Sequence, residues 1–217
     1  MKIDDKSLFL YLVTDRRWID ESSLEVQVEE SLKNGVTFLQ LREKNLEYDE
    51  FLKLALRIKQ ISKKYKVPFV INDDIKVAVD SDADGLHIGQ GDMDVYNARK
   101  LLGDNKILGV SALTVKQAIK AEQDGADYIG VGSMFITDTK NDADYVSFDE
   151  LKQICNIVSI PVVAIGGINE NNILELKGSG IDGVAVVSAI LSKKDISSAT
   201  RILNNLCKEV VGDSVFD

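Results

Sequence analysis

Along the whole chain, short apolar runs rich in β-branched residues alternate with longer stretches whose apolar positions recur every three or four residues. The first kind predicts strands at residues 8–13, 36–41, 68–71, 85–88, 107–110, 128–131, 162–165 and 183–187. Their near-continuous apolar character is that of strands covered on both faces. The second kind predicts helices, most clearly over 48–64, where Phe51, Leu52, Leu54, Ala55, Ile58 and Ile61 line one face. Residues 24–33, 115–123, 148–157 and 197–210 follow the same period. Asp73 or Asp74, Thr114 and Ser147 stand where helix N-caps belong.

Eight strands, each followed by a helical segment and with no linker between, predict an α/β protein: a single (β/α)8 TIM barrel over residues 1–217. Pro68 and Pro161, the only two prolines, each open a strand, where a missing N–H is tolerated. A doubly wound open sheet is the rival, but no Gly-x-Gly-x-x-Gly follows the first strand. A barrel of this class usually needs about 250 residues, so 217 implies short loops.

The strand ends, where a barrel keeps its active site, carry the candidate chemistry. After the second strand, alternation puts Gln40, Arg42 and Lys44 on one side and Leu41 and Glu43 on the other. An amide and two cations suit an anionic ligand with several oxygens; a solvated charged loop is the plainer alternative. Asp73, after the third strand, either caps the next helix or joins Asp92, after the fourth, in a two-carboxylate Mg²⁺ site completed by phosphates and water. Ser111 follows the fifth strand, and the sixth leads into a long polar loop with Thr137, Thr139 and Lys140. Gly166-Gly167 after the seventh strand and Val187-Ser188-Ala189 after the eighth fit a phosphate held by backbone N–H groups. His87 lies inside a strand, which favours a packed or hydrogen-bonded core role and argues against a Ser–His triad.

Composition narrows the setting. A net charge of −9 argues against general nucleic-acid binding, and Cys155 and Cys207 form no metal or disulfide pattern. No segment has the apolar length of a membrane span, and the acidic flanks of residues 8–13 do not suit a signal peptide. A cytoplasmic protein is the expectation, with neither nucleic acid nor membrane as partner.

Taken together, Gln40-Leu41-Arg42-Glu43-Lys44, Ile71-Asn72-Asp73-Asp74, Gly85-Leu86-His87-Ile88-Gly89-Gln90 with Asp92, Gly109-Val110-Ser111, Thr137-Asp138-Thr139-Lys140 and Ile165-Gly166-Gly167-Ile168 resemble the thiamine-phosphate synthase family, in the family's order from Tyr11 to Ile190. The resemblance implies a Mg²⁺-dependent transferase that joins a pyrimidinylmethyl diphosphate to a thiazole phosphate through a dissociative pyrimidine carbocation. It implies that Arg42, Lys44, Asn72 and Lys140 hold the diphosphate with Ser111 nearby, and that Gln40 belongs to the same pocket. It makes Arg42, Lys44, Ser111 and Lys140 the catalytic set and Asp73 and Asp92 the Mg²⁺ ligands. Thr137, Thr139, Gly167, Val187 and Ser188 would hold the thiazole phosphate. The chain departs from the family at Ser133, Ile136 and Asp94, where proline is common, which leaves loop stiffness to be decided. A thiazole tautomerase-like isomerase and a non-catalytic phosphate-ligand sensor are the alternatives; a homo-oligomer is allowed by either reading.

Overall fold

The computed structural model describes residues 5–19, 23–136 and 145–212. Eight parallel strands close into one barrel in chain order: β1 Leu10–Val13, β2 Phe38–Leu41, β3 Phe69–Asn72, β4 Gly85–Ile88, β5 Ile107–Ala112, β6 Tyr128–Val131, β7 Val162–Ile165 and β8 Gly183–Val186. The (β/α)8 expectation holds. Around the strands lie α1 Leu24–Lys33, α2 Tyr48–Tyr65, α3 Ile75–Asp80, α4 Val95–Leu102, α5 Val115–Gln123, α6 Phe148–Ile157, α7 Ser188–Leu191 and α8 Ile196–Val211. Thr114 and Ser147 cap α5 and α6 as predicted, and Asp74 rather than Asp73 caps α3 by accepting from Val77 N at 2.9 Å. Each proline sits just before its strand, and its carbonyl still serves the ladder: Leu39 N donates to Pro68 O and Ile129 N to Pro161 O.

One helical unit differs from the pattern. Between β7 and β8 the chain forms only a short 3-10 turn, Ile173–Leu176. Asn169 and Asn172 explain it, because their side chains bond nearby backbone: Asn172 Oδ1 accepts from Asn169 N, and both amides donate to Gly167 O. Such local bonds compete with the helical ladder.

Period-two alternation sorts the strand residues into two cores. Leu10, Leu12, Leu39, Leu41, Ile71 and Leu86 face outward into the large core beneath the helices. Tyr11, Val13, Phe38, Val70, Ile107, Tyr128, Val163 and Ala185 fill the barrel itself. Tyr11, Phe38 and Tyr128 meet edge to face, with ring centroids 4.7 to 6.0 Å apart. They are large for a barrel of short strands, and a glycine opposite Tyr128 makes room for it. Gly109 pairs with Tyr128 across the β5–β6 ladder, and a Cβ at 109 would lie 2.1 Å from the tyrosine ring.

Gly109→Ala should therefore overpack the barrel and lose roughly 1–3 kcal/mol of unfolding free energy. Urea denaturation followed by circular dichroism checks this; an unchanged midpoint would show that the ring moves aside without cost.

Candidate functional site

Above the aromatic plug, at the C-terminal ends of the strands, a cavity of about 350 Å³ opens into the barrel mouth. Of the residues singled out from sequence, Gln40, Arg42, Asn72, Ser111, Gly167, Val187 and Ser188 line it. Lys44, Asp73 and Asp92 stand beside the cavity and not in its wall. Thr137, Thr139 and Lys140 lie outside the described residues.

The alternation of β2 turns Gln40 inward, and the chain continues past the strand so that Arg42 follows it into the mouth. Arg42 is held from both ends: its N–H donates to Thr14 Oγ1 at 2.9 Å, and its guanidinium lies 3.5 Å from Asp15. Asp15 also accepts from the backbone and side chain of Arg17. Burial opposes ionisation of Asp15, but the bonds from Arg17 and the charge of Arg42 outweigh it and hold the carboxyl below its ordinary range. Arg42 thus arrives as an oriented cation in the cavity wall.

Two residues beyond Arg42, Lys44 Nζ reaches Asp73 Oδ2, at the end of the neighbouring strand, at 2.5 Å. Asp73 occupies a left-handed backbone conformation, φ 63°, with its N–H on His87 O at 2.8 Å. Because Asp74 takes the capping role, the Asp73 side chain is left for the mouth. It meets Asp92, whose other tie is an accepted bond from Gly89 N at 2.7 Å. The two carboxylates split in behaviour. Burial and then Asp73 push Asp92 up, whereas at Asp73 the burial penalty is overcome by Lys44 and Asp92, and its carboxyl stays below the usual range. A pair of this kind holds a proton or a hard cation between its oxygens. Among the described residues no third acidic, His or Cys side chain joins it, so a metal here would take its remaining ligands from bound phosphate and water.

On the opposite side the wall is backbone. Gly166 and Gly167 have φ values of 100° and 68°, and a Cβ on either would strike residues 133–136 at 2.2 to 2.4 Å. The strand-six loop rests on these glycines: Met134 N donates to Ile165 O and Phe135 N to Gly166 O, both at 3.0 Å. Ser133 Oγ adds a bond to Phe135 O. Hence the loop as far as Phe135 is anchored without the prolines common at 133 and 136. At Asp94 the exchange is also accounted for, since its carboxylate caps α4.

Sequence reasoning missed part of the wall. Tyr11, His87 and Gln90 line the cavity too, and Gln90 Nε2 donates to Ser111 O at 2.6 Å. His87 is buried and hydrogen-bonded as expected, yet it also faces the ligand space. Burial drives its pKa down to about 4, so the ring is neutral near pH 7. The inward parity of Tyr11 and His87 on their strands was the available signal.

A closed parallel barrel with polar and charged side chains gathered at its C-terminal mouth defines an enzyme of the (β/α)8 class. The thiamine monophosphate synthase family model matches residues 10–190. Over 207 residues the chain is 50% identical to thiamine-phosphate synthase of Methanobrevibacter smithii, covering 95% of this chain and 97% of that one. The thiamine-phosphate synthase of Clostridium tetani is 49% identical over 203 residues, 94% of each chain. Thiamine phosphate pyrophosphorylase from Pyrococcus furiosus superposes with a TM-score of 0.88 at 38% identity, over 96% of this chain and 99% of that one. The chain belongs to the thiamine monophosphate synthase family and is a transferase of thiamine biosynthesis. Among the described residues, no helix is long and apolar enough to cross a membrane.

The neighbouring aspartates should separate cleanly. Asp74→Ala should lose about 1 kcal/mol of stability through its cap and leave the titration of Asp92 unmoved. Asp73→Asn should leave stability nearly unchanged but lower the Asp92 pKa toward its ordinary value, because a like charge is removed. Carboxyl ¹³C shifts against pH, beside thermal melts, check both; an unmoved Asp92 in Asp73→Asn would mean that burial alone raises it.

Proposed function

We propose that the cavity joins a pyrimidinylmethyl diphosphate to a thiazole phosphate, with Mg²⁺ held by Asp73 and Asp92. The observation that carries this reading is the shared cavity. Gln40, Arg42, Asn72 and Ser111 stand in one wall, and the glycine turn with Val187 and Ser188 stands in another. This supports separate places for two ligands, a diphosphate near the cations and carboxylates and a phosphate beside the glycine turn.

In the proposed reaction the methylene–oxygen bond breaks first and its electron pair leaves with pyrophosphate. The thiazole nitrogen then donates its lone pair to the methylene carbon, and no net proton is gained or lost. Arg42 and Lys44, with Lys140 from the strand-six loop, would stabilise the charge gathering on the leaving group. Asn72 would orient the diphosphate oxygens, with Ser111 nearby at the end of the fifth strand. Asp73 and Asp92 would hold Mg²⁺, a two-carboxylate donor set that suits this hard cation, and the metal would supply Lewis-acid stabilisation of charge on pyrophosphate. Thr137, Thr139, Gly167, Val187 and Ser188 would hold the thiazole phosphate, which sets its nitrogen near the methylene and contributes by proximity. No strong base is needed, in keeping with a neutral His87. An isomerase or a ligand sensor would leave the carboxylate pair without a task.

The purified protein, given both precursors and Mg²⁺, should release pyrophosphate and thiamine phosphate in equal amounts; absence of thiamine phosphate would overturn the reading. Asp92→Ala should abolish turnover and leave thiazole phosphate affinity, measured by calorimetry, close to wild type. Retained turnover would remove Asp92 from the metal site.

A further inference from the structure

Under the cavity, side chains from five strands join in one unbroken line of hydrogen bonds. Gln40 on β2 donates through Nε2 to the Tyr11 hydroxyl on β1. The Tyr11 hydroxyl is 2.8 Å from that of Tyr128 on β6, which in turn lies 2.9 Å from His87 Nδ1 on β4. His87 Nε2 is 3.0 Å from Ser111 Oγ on β5. The two ends, Gln40 and Ser111, face the cavity, and Tyr128 is sealed from solvent.

Such a line has a direction. Each hydroxyl has one proton to give, and a neutral imidazole has one donor and one acceptor nitrogen. With the Gln40 amide donating to Tyr11, the Tyr11 proton points to Tyr128 and the Tyr128 proton to His87 Nδ1. The imidazole proton then sits on Nε2 and points to Ser111 Oγ. The second Gln40 N–H is directed at Tyr128, so what remains for a ligand is the Gln40 carbonyl oxygen as an acceptor and the Ser111 hydroxyl proton as a donor. Reversing the line exchanges both at once, so neither end can change alone.

We infer that Tyr11, Tyr128 and His87 are positioning residues that fix the hydrogen-bonding polarity of Gln40 and Ser111 together. The cavity then favours a flat heteroaromatic ring offering an N–H donor toward Gln40 and a lone-pair nitrogen toward Ser111. An aminopyrimidine has both groups. The ligand half of this inference rests on the proposed reaction; the hydrogen-bond line does not.

His87 is the sole histidine, so ring ¹⁵N spectra of the ligand-free protein report its tautomer without overlap. The wild type should show one neutral tautomer with the proton on Nε2. Gln40→Met, which cannot donate to Tyr11, should give a mixture of tautomers although it does not touch His87. Tyr128→Phe should do the same by removing the donor to Nδ1; if that variant does not fold, Gln40→Met decides alone. A dominant Nδ1–H form in the wild type, or a Gln40→Met spectrum equal to it, would overturn the inference. In steady-state assays Tyr128→Phe should raise KM for the pyrimidine diphosphate about tenfold, the worth of one misdirected hydrogen bond, and leave KM for thiazole phosphate unchanged. Equal shifts in both, or none, would reduce Tyr128 to a packing residue. A wild type without turnover would remove the proposed reaction, while the nitrogen spectra would still decide the hydrogen-bond line.

Discussion

Two tyrosine hydroxyls are buried at the centre of this barrel, and the requirement that buried polar groups be paired governs how the core meets the site. Burial pushes the phenols of Tyr11 and Tyr128 well above their ordinary range, so both stay protonated and must donate. They satisfy one another, then Gln40 on one side and His87 on the other. The rings fill the lumen; Tyr11 reaches the cavity floor, and Tyr128, sealed beneath it, links Tyr11 to His87. The same residues therefore close the core and present the chemistry. A glycine at 109 is the condition for both, because any side chain there would collide with Tyr128.

Above the floor the controlling interaction is electrostatic. The net charge of −9 would repel phosphorylated substrates at long range, although exposed charges farther away than about 8 Å are largely screened at physiological salt. Capture thus depends on what lies within a few ångströms, where Arg42 and Lys44 stand. Both are already engaged by carboxylates, Asp15 and Asp73. Such pairs hold a cation in position, and Asp15 is the more deeply buried of the two carboxylates. A phosphate meeting Arg42 finds a guanidinium already aimed. Lys44, half exposed, can turn from Asp73 toward a ligand, and a divalent cation on the Asp73–Asp92 pair would favour that exchange.

The barrel was legible because its signal is periodic and repeated: eight apolar runs, separated by helical faces, leave few architectures open. The mouth residues were legible for a related reason, since strand parity and strand ends can be counted. Gln40, Arg42 and Ser111 were found in this way and Asn72 through the family resemblance, and the four do share one cavity. What could not be read was partnership across the chain. Tyr11 and Tyr128 look like ordinary core aromatics in sequence, and 117 positions separate them before the fold brings their oxygens together. Asp73 and Asp74 are equal candidates for a cap on paper; the left-handed turn at Asp73 decides between them. The missing helix before β8 was hidden because asparagine side chains, and not the apolar pattern, stop it.

The two halves of the site divide the work of recognition. Cations and glycine backbone answer to charge, and any phosphate ester of suitable size would satisfy them equally well. Discrimination between rings has to come from the floor, where direct donors and acceptors are few and each mismatch leaves a buried group unpaired. That penalty is about 1–3 kcal/mol per group, comparable to the whole contribution of a solvent-exposed ion pair or larger. A hydrogen-bond line that fixes two such groups at once makes a wrong ring fail at both ends together. On the proposed reaction, the specificity of the barrel mouth would therefore be seated in the core beneath it, in side chains that an account of charge alone would pass over.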